Sequence, residues 1–190
     1  MKQRKIGILA MQGDFAKHEA MLKSLGVKTI LVKQIHNLQG CDGLIIPGGE
    51  STTLTKLIRN YGLHEPLRKF AKRHPIMGTC AGLILVADHV DDERVEPLRL
   101  IDITALRNAY GTQIDSFITQ VDMQFLKDSQ PFRAVFIRAP QIQVVGDNVD
   151  VLVTLKGQPV MVRNKKILAL AFHPELTDDT RIHRYFLEQF

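Results

Sequence analysis

The sequence predicts an α/β fold: a parallel sheet with helices on both faces, continued by an antiparallel extension into a mixed sheet. Three observations carry this. The first half alternates short apolar runs with stretches of helical period. Those runs end at turns containing Gly or Pro. The second half is a succession of strand-length segments with hairpin signals.

In order, Ile6 to Met11 reads as a buried strand. Phe15 to Leu25 repeats apolar residues at helical spacing and is ended by Gly26. Val27 to Val32 is the next strand. Gly43 to Ile46 is a third, closed by Pro47-Gly48-Gly49. Ser51 or Thr52 is placed to cap a helix to about Tyr61. A second helix covers His64 to Arg73, Pro75 to Thr79 is a strand, and Ala81 to Ala87 is a helix. The polar stretch Asp88 to Glu96 reads as a mobile loop. Strand-like segments follow at Leu100 to Leu106, Gln113 to Val121, Arg133 to Ile137, Gln141 to Val145, Asp150 to Lys156, Val160 to Asn164 and Lys166 to Phe172. Gly157-Gln158 and Asn164-Lys165 are the hairpin turns. Thr177 to Gln189 is a closing helix with Ile182, Tyr185, Phe186 and Phe190 on one side. No linker, repeat or low-complexity tract interrupts the chain, so 1–190 is expected to be a single domain.

Hydrophobic residues make up 45% and charged residues 24%, an ordinary globular balance. No apolar run approaches the ~20 residues of a membrane span. The run Ile6-Gly7-Ile8-Leu9-Ala10 is too short for a signal peptide, and a cytoplasmic location is expected. Two cysteines, Cys41 and Cys80, do not make a disulfide scaffold. No Cys-x-x-Cys spacing suggests a tetrahedral metal site, and no metal is expected. The formal charge is +5. Lys and Arg are scattered without interleaved aromatics, so the excess reads as solubility or a basic face for an acidic partner, not as nucleic-acid binding.

The sharpest local feature is Gly78-Thr79-Cys80-Ala81-Gly82, between a strand and a helix. It is a Gly-x-nucleophile-x-Gly elbow with cysteine as the nucleophile. Small neighbours permit the tight turn, the helix start favours thiolate, and the Ala81 N–H is placed to stabilise an oxyanion. The bland alternative is a buried Cys in a Gly-rich turn. A Cys nucleophile needs a base, and the base needs an orienter. His173-Pro174-Glu175 follows the apolar strand Ile167 to Phe172, so both side chains can aim at one site, with Glu175 fixing the imidazole tautomer. Alone it is a polar strand end; paired with the elbow it is a catalytic signature. The other six histidines, His18 and His183 among them, are read as surface or packing residues.

Pro47-Gly48-Gly49-Glu50-Ser51-Thr52 suggests close backbone approach to a ligand. It lacks the Lys of a phosphate loop, and Glu50 repels phosphate. An amino-acid site fits better, with the Gly49 N–H completing an oxyanion hole and Glu50 and Ser51 gripping an amino or amide group. Arg107 and Arg138 each follow a strand-like segment. Either could pair with a substrate carboxylate, and either could be a surface salt bridge. Cys41 reads as structural.

Together these motifs resemble the class I (triad) glutamine amidotransferases. Ala10-Met11-Gln12-Gly13, Pro47 to Thr53, Arg107-Asn108 with Gly111 and Gln113, Ser116-Phe117 and Phe136-Ile137-Arg138-Ala139-Pro140 narrow the resemblance to the glutaminase-subunit family of pyridoxal phosphate synthases, from about Lys5 to the C-terminus. The resemblance implies a flavodoxin-like three-layer sandwich and hydrolysis of glutamine to glutamate and ammonia. It implies a triad of Cys80, His173 and Glu175, an oxyanion hole at Gly49 and Ala81, and glutamine contacts at Gly49, Glu50, Ser51, Arg107, Ile137 and Arg138. It implies no cofactor on this chain and a partner, the barrel-shaped synthase subunit that builds pyridoxal 5'-phosphate (vitamin B6) with the ammonia. Two positions depart from the family pattern: Thr112 stands where Arg is common, and Ile118 where an acid is common. Three other readings are an amidotransferase serving another acceptor, a cysteine peptidase of similar fold, and a degenerate glutamine-binding subunit. The intact Cys80, His173 and Glu175 argue against the last.

Overall fold

In the computed structural model, which describes residues 4–107, 116–126 and 130–189, the first half of the chain runs β1 (Lys5–Leu9), α1 (Phe15–Ser24), β2 (Lys28–Val32), β3 (Gly43–Ile46), α2 (Ser51–Asn60), α3 (His64–Ala71), β4 (Ile76–Thr79) and α4 (Ala81–Val86). The second half runs β5 (Ala87–Val90), β6 (Ile101–Leu106), β7 (Phe117–Val121), β8 (Phe132–Phe136), β9 (Gln141–Val145), β10 (Asp150–Leu155), β11 (Gln158–Arg163), β12 (Ile167–Leu170) and α5 (Arg181–Gln189). Short 3-10 turns lie at Ile35–Leu38 and Pro174–Leu176.

The central sheet has the order β10-β11-β12-β4-β3-β1-β2. Its parallel part, β2-β1-β3-β4-β12, has the 2-1-3-4-5 order of flavodoxin-like folds. β11 and β10 extend it antiparallel, so the mixed sheet expected from the sequence is present. β3, β4 and β12 are buried at every position, as strands covered on both faces must be. The crossovers leaving β1 and β3 run in opposite directions, so right-handed connections put α1 and α2 on opposite faces. α4 packs beside α2, and α1 meets α5 through His18 and His183. A separate sheet, β5-β6-β9, and the hairpin pair β7-β8 complete the described strands. Phe132 and Phe136 of β8 pack on Phe172, with ring centroids 5.9 and 5.6 Å away.

Four readings of the sequence change. The helix after the elbow stops at Val86. The next four residues form β5, paired with β6 through His89–Thr104 and Val90–Ala105, so Asp88 to Val90 of the expected loop are strand. Past β5, Val95 is buried and Asp92 is ion-paired with Arg94 and Arg107. The β10–β11 turn is Lys156-Gly157 and not Gly157-Gln158. Both residues have positive φ, 51° and 79°, the pattern of a type I′ hairpin turn. The closing helix starts at Arg181, whose N–H bonds the Asp179 carboxylate at 3.0 Å. The strand expected from Gln113 starts at Phe117 as described; residues 113–115 lie outside the described residues, as does Phe190.

Candidate active site

The carboxyl ends of β3, β4 and β12 bring the sequence-predicted residues to one edge of the sheet, next to the strand-order reversal where open α/β sheets bind ligands. Cys80 sits between β4 and α4 with φ 49° and ψ −104°. A non-glycine residue there carries backbone strain, as nucleophile elbows do. The flanking glycines follow from space. A Cβ on Gly82 would overlap the Ile46 carbonyl, and one on Gly78 would lie 2.6 Å from the Gly82 oxygen. The Cys80 N–H bonds Leu170 O at 2.8 Å, tying the elbow to β12. Its sulfur lies 3.8 Å from the Ile137 carbonyl oxygen. Ala81 opens α4, so its N–H has no acceptor within that helix.

His173 leaves β12 and is buried, as is Glu175. The 3-10 turn at Pro174–Leu176 curls Glu175 back, and its Oε1 lies 2.7 Å from His173 Nδ1. A carboxylate accepts only, so Nδ1 carries the hydrogen and Nε2 is left as the basic nitrogen. Nε2 is buried without a hydrogen-bond partner among the described residues. The His173 N–H donates to Val135 O at 2.9 Å, which locks the segment against β8. Burial pushes the imidazole toward its neutral form. The adjoining Cys80 sulfur and Glu175 carboxylate outweigh burial and raise its pKa to about 10, so the imidazolium is favoured whenever Cys80 is a thiolate.

The Gly48-Gly49 loop packs between the His173 ring and the Gln12-Gly13 turn. A Cβ on Gly48 would overlap the His173 ring, and one on Gly49 would overlap Gln12 Oε1. Gln12 Oε1 accepts from the Glu50 N–H at 2.9 Å, and the Asp14 N–H reaches Gly48 O at 3.3 Å. The loops after β1 and β3 thus interlock. The α2 cap is Glu50, and neither Ser51 nor Thr52. Its carboxylate accepts from the Thr53 N–H at 2.7 Å and the Thr52 N–H at 3.3 Å. Hydrogen bonds from Thr52 and Thr53 hold the Glu50 carboxyl down at about 2. Ser51 is buried in the first turn.

The two arginines part company. Arg107 is committed to carboxylates of its own chain, Asp92 and Glu50, the latter at 3.3 Å. Asn108 to Gly111 and Thr112 lie outside the described residues. Arg138 is exposed, has φ 42°, and its guanidinium has no hydrogen bond or ion pair among the described residues. It follows Ile137, whose carbonyl faces the Cys80 sulfur. Ile118, the other departure from the family pattern, is exposed on β7.

Behind Glu175 lie residues that the sequence reading assigned to packing. His18 of α1 is fully buried, with Nε2 3.3 Å from Glu175 Oε2 and 3.2 Å from Thr79 Oγ1. Its Nδ1 lies 2.9 Å from Nε2 of His183 in α5. Burial, then the charges of His183 and His173, keep His18 well below its usual pKa; burial alone lowers His183 to about 4. Both are therefore neutral at pH 7. A signal existed: His18 falls on the apolar stripe of α1 with Phe15, Met21 and Leu22. Asp14 was also missed. Its carboxylate and the polar atoms of His173 and Glu175 lie within 4.8 Å of one another, two carboxylates and an imidazole, ligand types a divalent metal accepts. The short His173–Glu175 bond already engages two of the three.

No helix among the described residues is long and apolar enough to cross a membrane. The model of the SNO glutamine amidotransferase family matches residues 8–190. A pyridoxal 5'-phosphate synthase subunit PdxT of Dictyoglomus turgidum is 50% identical over 187 residues, covering 97% of this chain and 98% of the relative. The subunit of the same name from Fervidobacterium nodosum is 47% identical over 184 residues, covering 96% and 95%. A crystal structure described as a glutamine amidotransferase superposes with a TM-score of 0.89 at 44% identity, covering 97% of each chain.

Proposed function

We propose, from the premise that this chain belongs to the SNO glutamine amidotransferase family, that it hydrolyses L-glutamine to L-glutamate and ammonia as the glutaminase subunit of a pyridoxal 5'-phosphate synthase. The observation that carries the chemistry is the pairing of a strained Cys80 elbow with a buried His173–Glu175 hydrogen bond of 2.7 Å.

The Cys80 thiolate attacks the side-chain amide carbon, and the carbonyl π electrons move onto oxygen. The N–H groups of Gly49 and Ala81 stabilise that oxyanion. The His173 imidazolium gives its proton to the amide nitrogen as the C–N bond breaks, releasing ammonia and leaving a thioester. Neutral His173 then takes a proton from water. The hydroxyl attacks the thioester carbon, and the second tetrahedral intermediate expels the Cys80 thiolate with glutamate. Glu175 keeps the imidazole in its tautomer and balances its charge. Glu50 and Ser51 suit the substrate's amino end, the Ile137 backbone lines the amide, and Arg138 is the better partner for the α-carboxylate because Arg107 is already paired.

On this reading the 190 residues act as one glutaminase domain in the cytoplasm, without a cofactor, and deliver ammonia to a barrel-shaped synthase subunit. The test is ammonia release from glutamine, with and without that subunit, beside a peptide substrate. Cys80→Ala is expected to abolish release while keeping a cooperative melt, and a glutamine-like electrophile is expected to label Cys80. Label on Cys41, full activity in Cys80→Ala, or peptide cleavage without glutaminase activity overturns the assignment.

A further inference from the structure

We propose that His18 is a positioning residue of this catalytic set: it holds the far oxygen of Glu175 so that the near oxygen stays on His173. The inference rests on the triad reading above and extends it by one residue. A carboxylate at the end of a short loop can rotate, and only one of its oxygens is engaged by His173, at 2.7 Å. Oε2 points into the fold, where no water reaches it and where it has no well-aligned hydrogen bond. A buried carboxylate oxygen in that position needs a donor nearby. His18 Nε2, 3.3 Å away, is the ring nitrogen placed to supply it.

The proton inventory then follows. With a carboxylate on one side, Nε2 must carry the hydrogen; it bonds Thr79 Oγ1, 3.2 Å away, with Glu175 Oε2 3.3 Å from the same nitrogen. Nδ1 of His18 is therefore the acceptor, and the His183 Nε2–H donates to it across 2.9 Å. His183 Nδ1, buried and without a partner, is left as a bare acceptor. That costs less than the opposite assignment, which would orphan an N–H and set a lone pair against the carboxylate. The groups facing His18 are thus Glu175 and His173 beyond β12, His183 from α5 and Thr79 at the end of β4, with Asp14 the other carboxylate beside His173 and Glu175.

Both His18 and His183 are neutral at pH 7, and this matters for the chemistry. A charged His18 would draw Glu175 toward itself and weaken its hold on His173. A neutral donor steadies the carboxylate and leaves its charge for the imidazolium. Packing alone does not account for the pair. Two apolar side chains would join α1 to α5 without desolvating two imidazoles.

The test compares His18→Leu, which keeps bulk and removes the donor, with His18→Gln, which restores an N–H. Four quantities are read: kcat, KM for glutamine, the unfolding midpoint, and the pH dependence of Cys80 alkylation by iodoacetamide. Loss of one charge-assisted bond predicts a kcat lower by roughly ten- to a hundredfold in His18→Leu with KM changed less than about twofold. The alkylation midpoint is expected to move to higher pH, because a loosened Glu175 supports the imidazolium less. His18→Gln is expected to recover most of kcat and of the midpoint. Wild-type kcat in His18→Leu, or a loss that follows only the folded fraction with an unmoved midpoint, overturns the proposal. If His18→Leu does not fold, His18→Asn, whose amide is too short to reach Glu175, takes its place under the same criteria. Activity in Cys80→Ala would sink the triad reading itself, a separate failure from wild-type behaviour in the His18 variants.

Discussion

In the proposed mechanism Cys80, His173 and Glu175 differ in how much each does alone. The imidazole is needed twice, to protonate the leaving nitrogen and to deprotonate water. His173→Asn is therefore expected to lose nearly all turnover. Glu175→Gln removes the charge that favours the imidazolium but leaves the base in place, so its kcat should fall less. If the residues act as a unit, the double mutant should be little worse than His173→Asn; rate measurements giving additive losses in log kcat would show that they work separately. On the proposed reading Arg138 serves binding. Its guanidinium is exposed and has no partner among the described residues, so Arg138→Ala should raise KM for glutamine by roughly ten- to a hundredfold with kcat less affected, the worth of one charge-assisted contact. Arg107→Ala acts differently, by releasing Glu50 and Asp92. An unchanged KM in Arg138→Ala removes that residue from the site.

At the scale of elements, the site depends on the loops after β1 and β3 fitting against the segment after β12. Gly48 is the tightest point, because a methyl group there would overlap the His173 ring. Gly48→Ala should keep a cooperative melt and lose turnover. A variant with wild-type kcat would show that the ring moves aside at no cost. The α1–α5 contact makes its own prediction about acid. An unfolded histidine titrates near 6.5, whereas His183 in the fold titrates near 4 and His18 is also lowered. The unfolded chain thus binds more protons between these values, and stability must rise with pH there. The contribution is complete above about 6.5 and is lost as pH falls toward 4. His183→Gln cannot titrate and can still donate to His18, so its unfolding midpoint should drop less between pH 7 and pH 5 than that of the unchanged chain. Parallel melting curves would exclude His183 as the source of acid sensitivity.

For the whole molecule, the issue is when ammonia is released. Hydrolysis without an acceptor wastes glutamine, so the isolated chain is expected to be a slow glutaminase that the synthase subunit stimulates. The Gly48-Gly49 peptide is a ready switch. Glycine tolerates either sign of φ, and the loop is held by Gln12, whose Oε1 accepts from the Glu50 N–H. In the proposed mechanism one orientation of the peptide would direct the Gly49 N–H at the oxyanion and the other would remove it. Loss of one such donor costs about a hundred- to a thousandfold in kcat. A partner touching the Gln12–Gly13 turn would select the productive state as a population shift. Titrating the synthase subunit into a steady-state glutaminase assay checks this. An isolated chain already running at the rate of the complex would end the switch hypothesis and leave the triad intact.

The sequence alone determined what depends on neighbours in the chain. The elbow was legible because its Gly-x-Cys-x-Gly spacing is local, although the space that Gly82 leaves clear is needed by the Ile46 carbonyl of β3. His173-Pro174-Glu175 was legible because a 3-10 turn returns the carboxylate to its own histidine. The buried runs of β3, β4 and β12 announced a covered parallel sheet. Where the sequence misled, one cause was pairing at a distance: Ala87 to Val90 joins β6 as a strand. The other was local: Glu50, not Ser51 or Thr52, caps α2, its carboxylate reaching forward to the N–H groups of Thr52 and Thr53. Only the tertiary structure decided that Arg107 is already neutralised by Asp92 and Glu50, and that His18 and His183, 165 residues apart, meet behind Glu175. Those contacts are set by how α1 and α5 pack across the sheet, and no local spacing records the distance between two helices far apart in the chain.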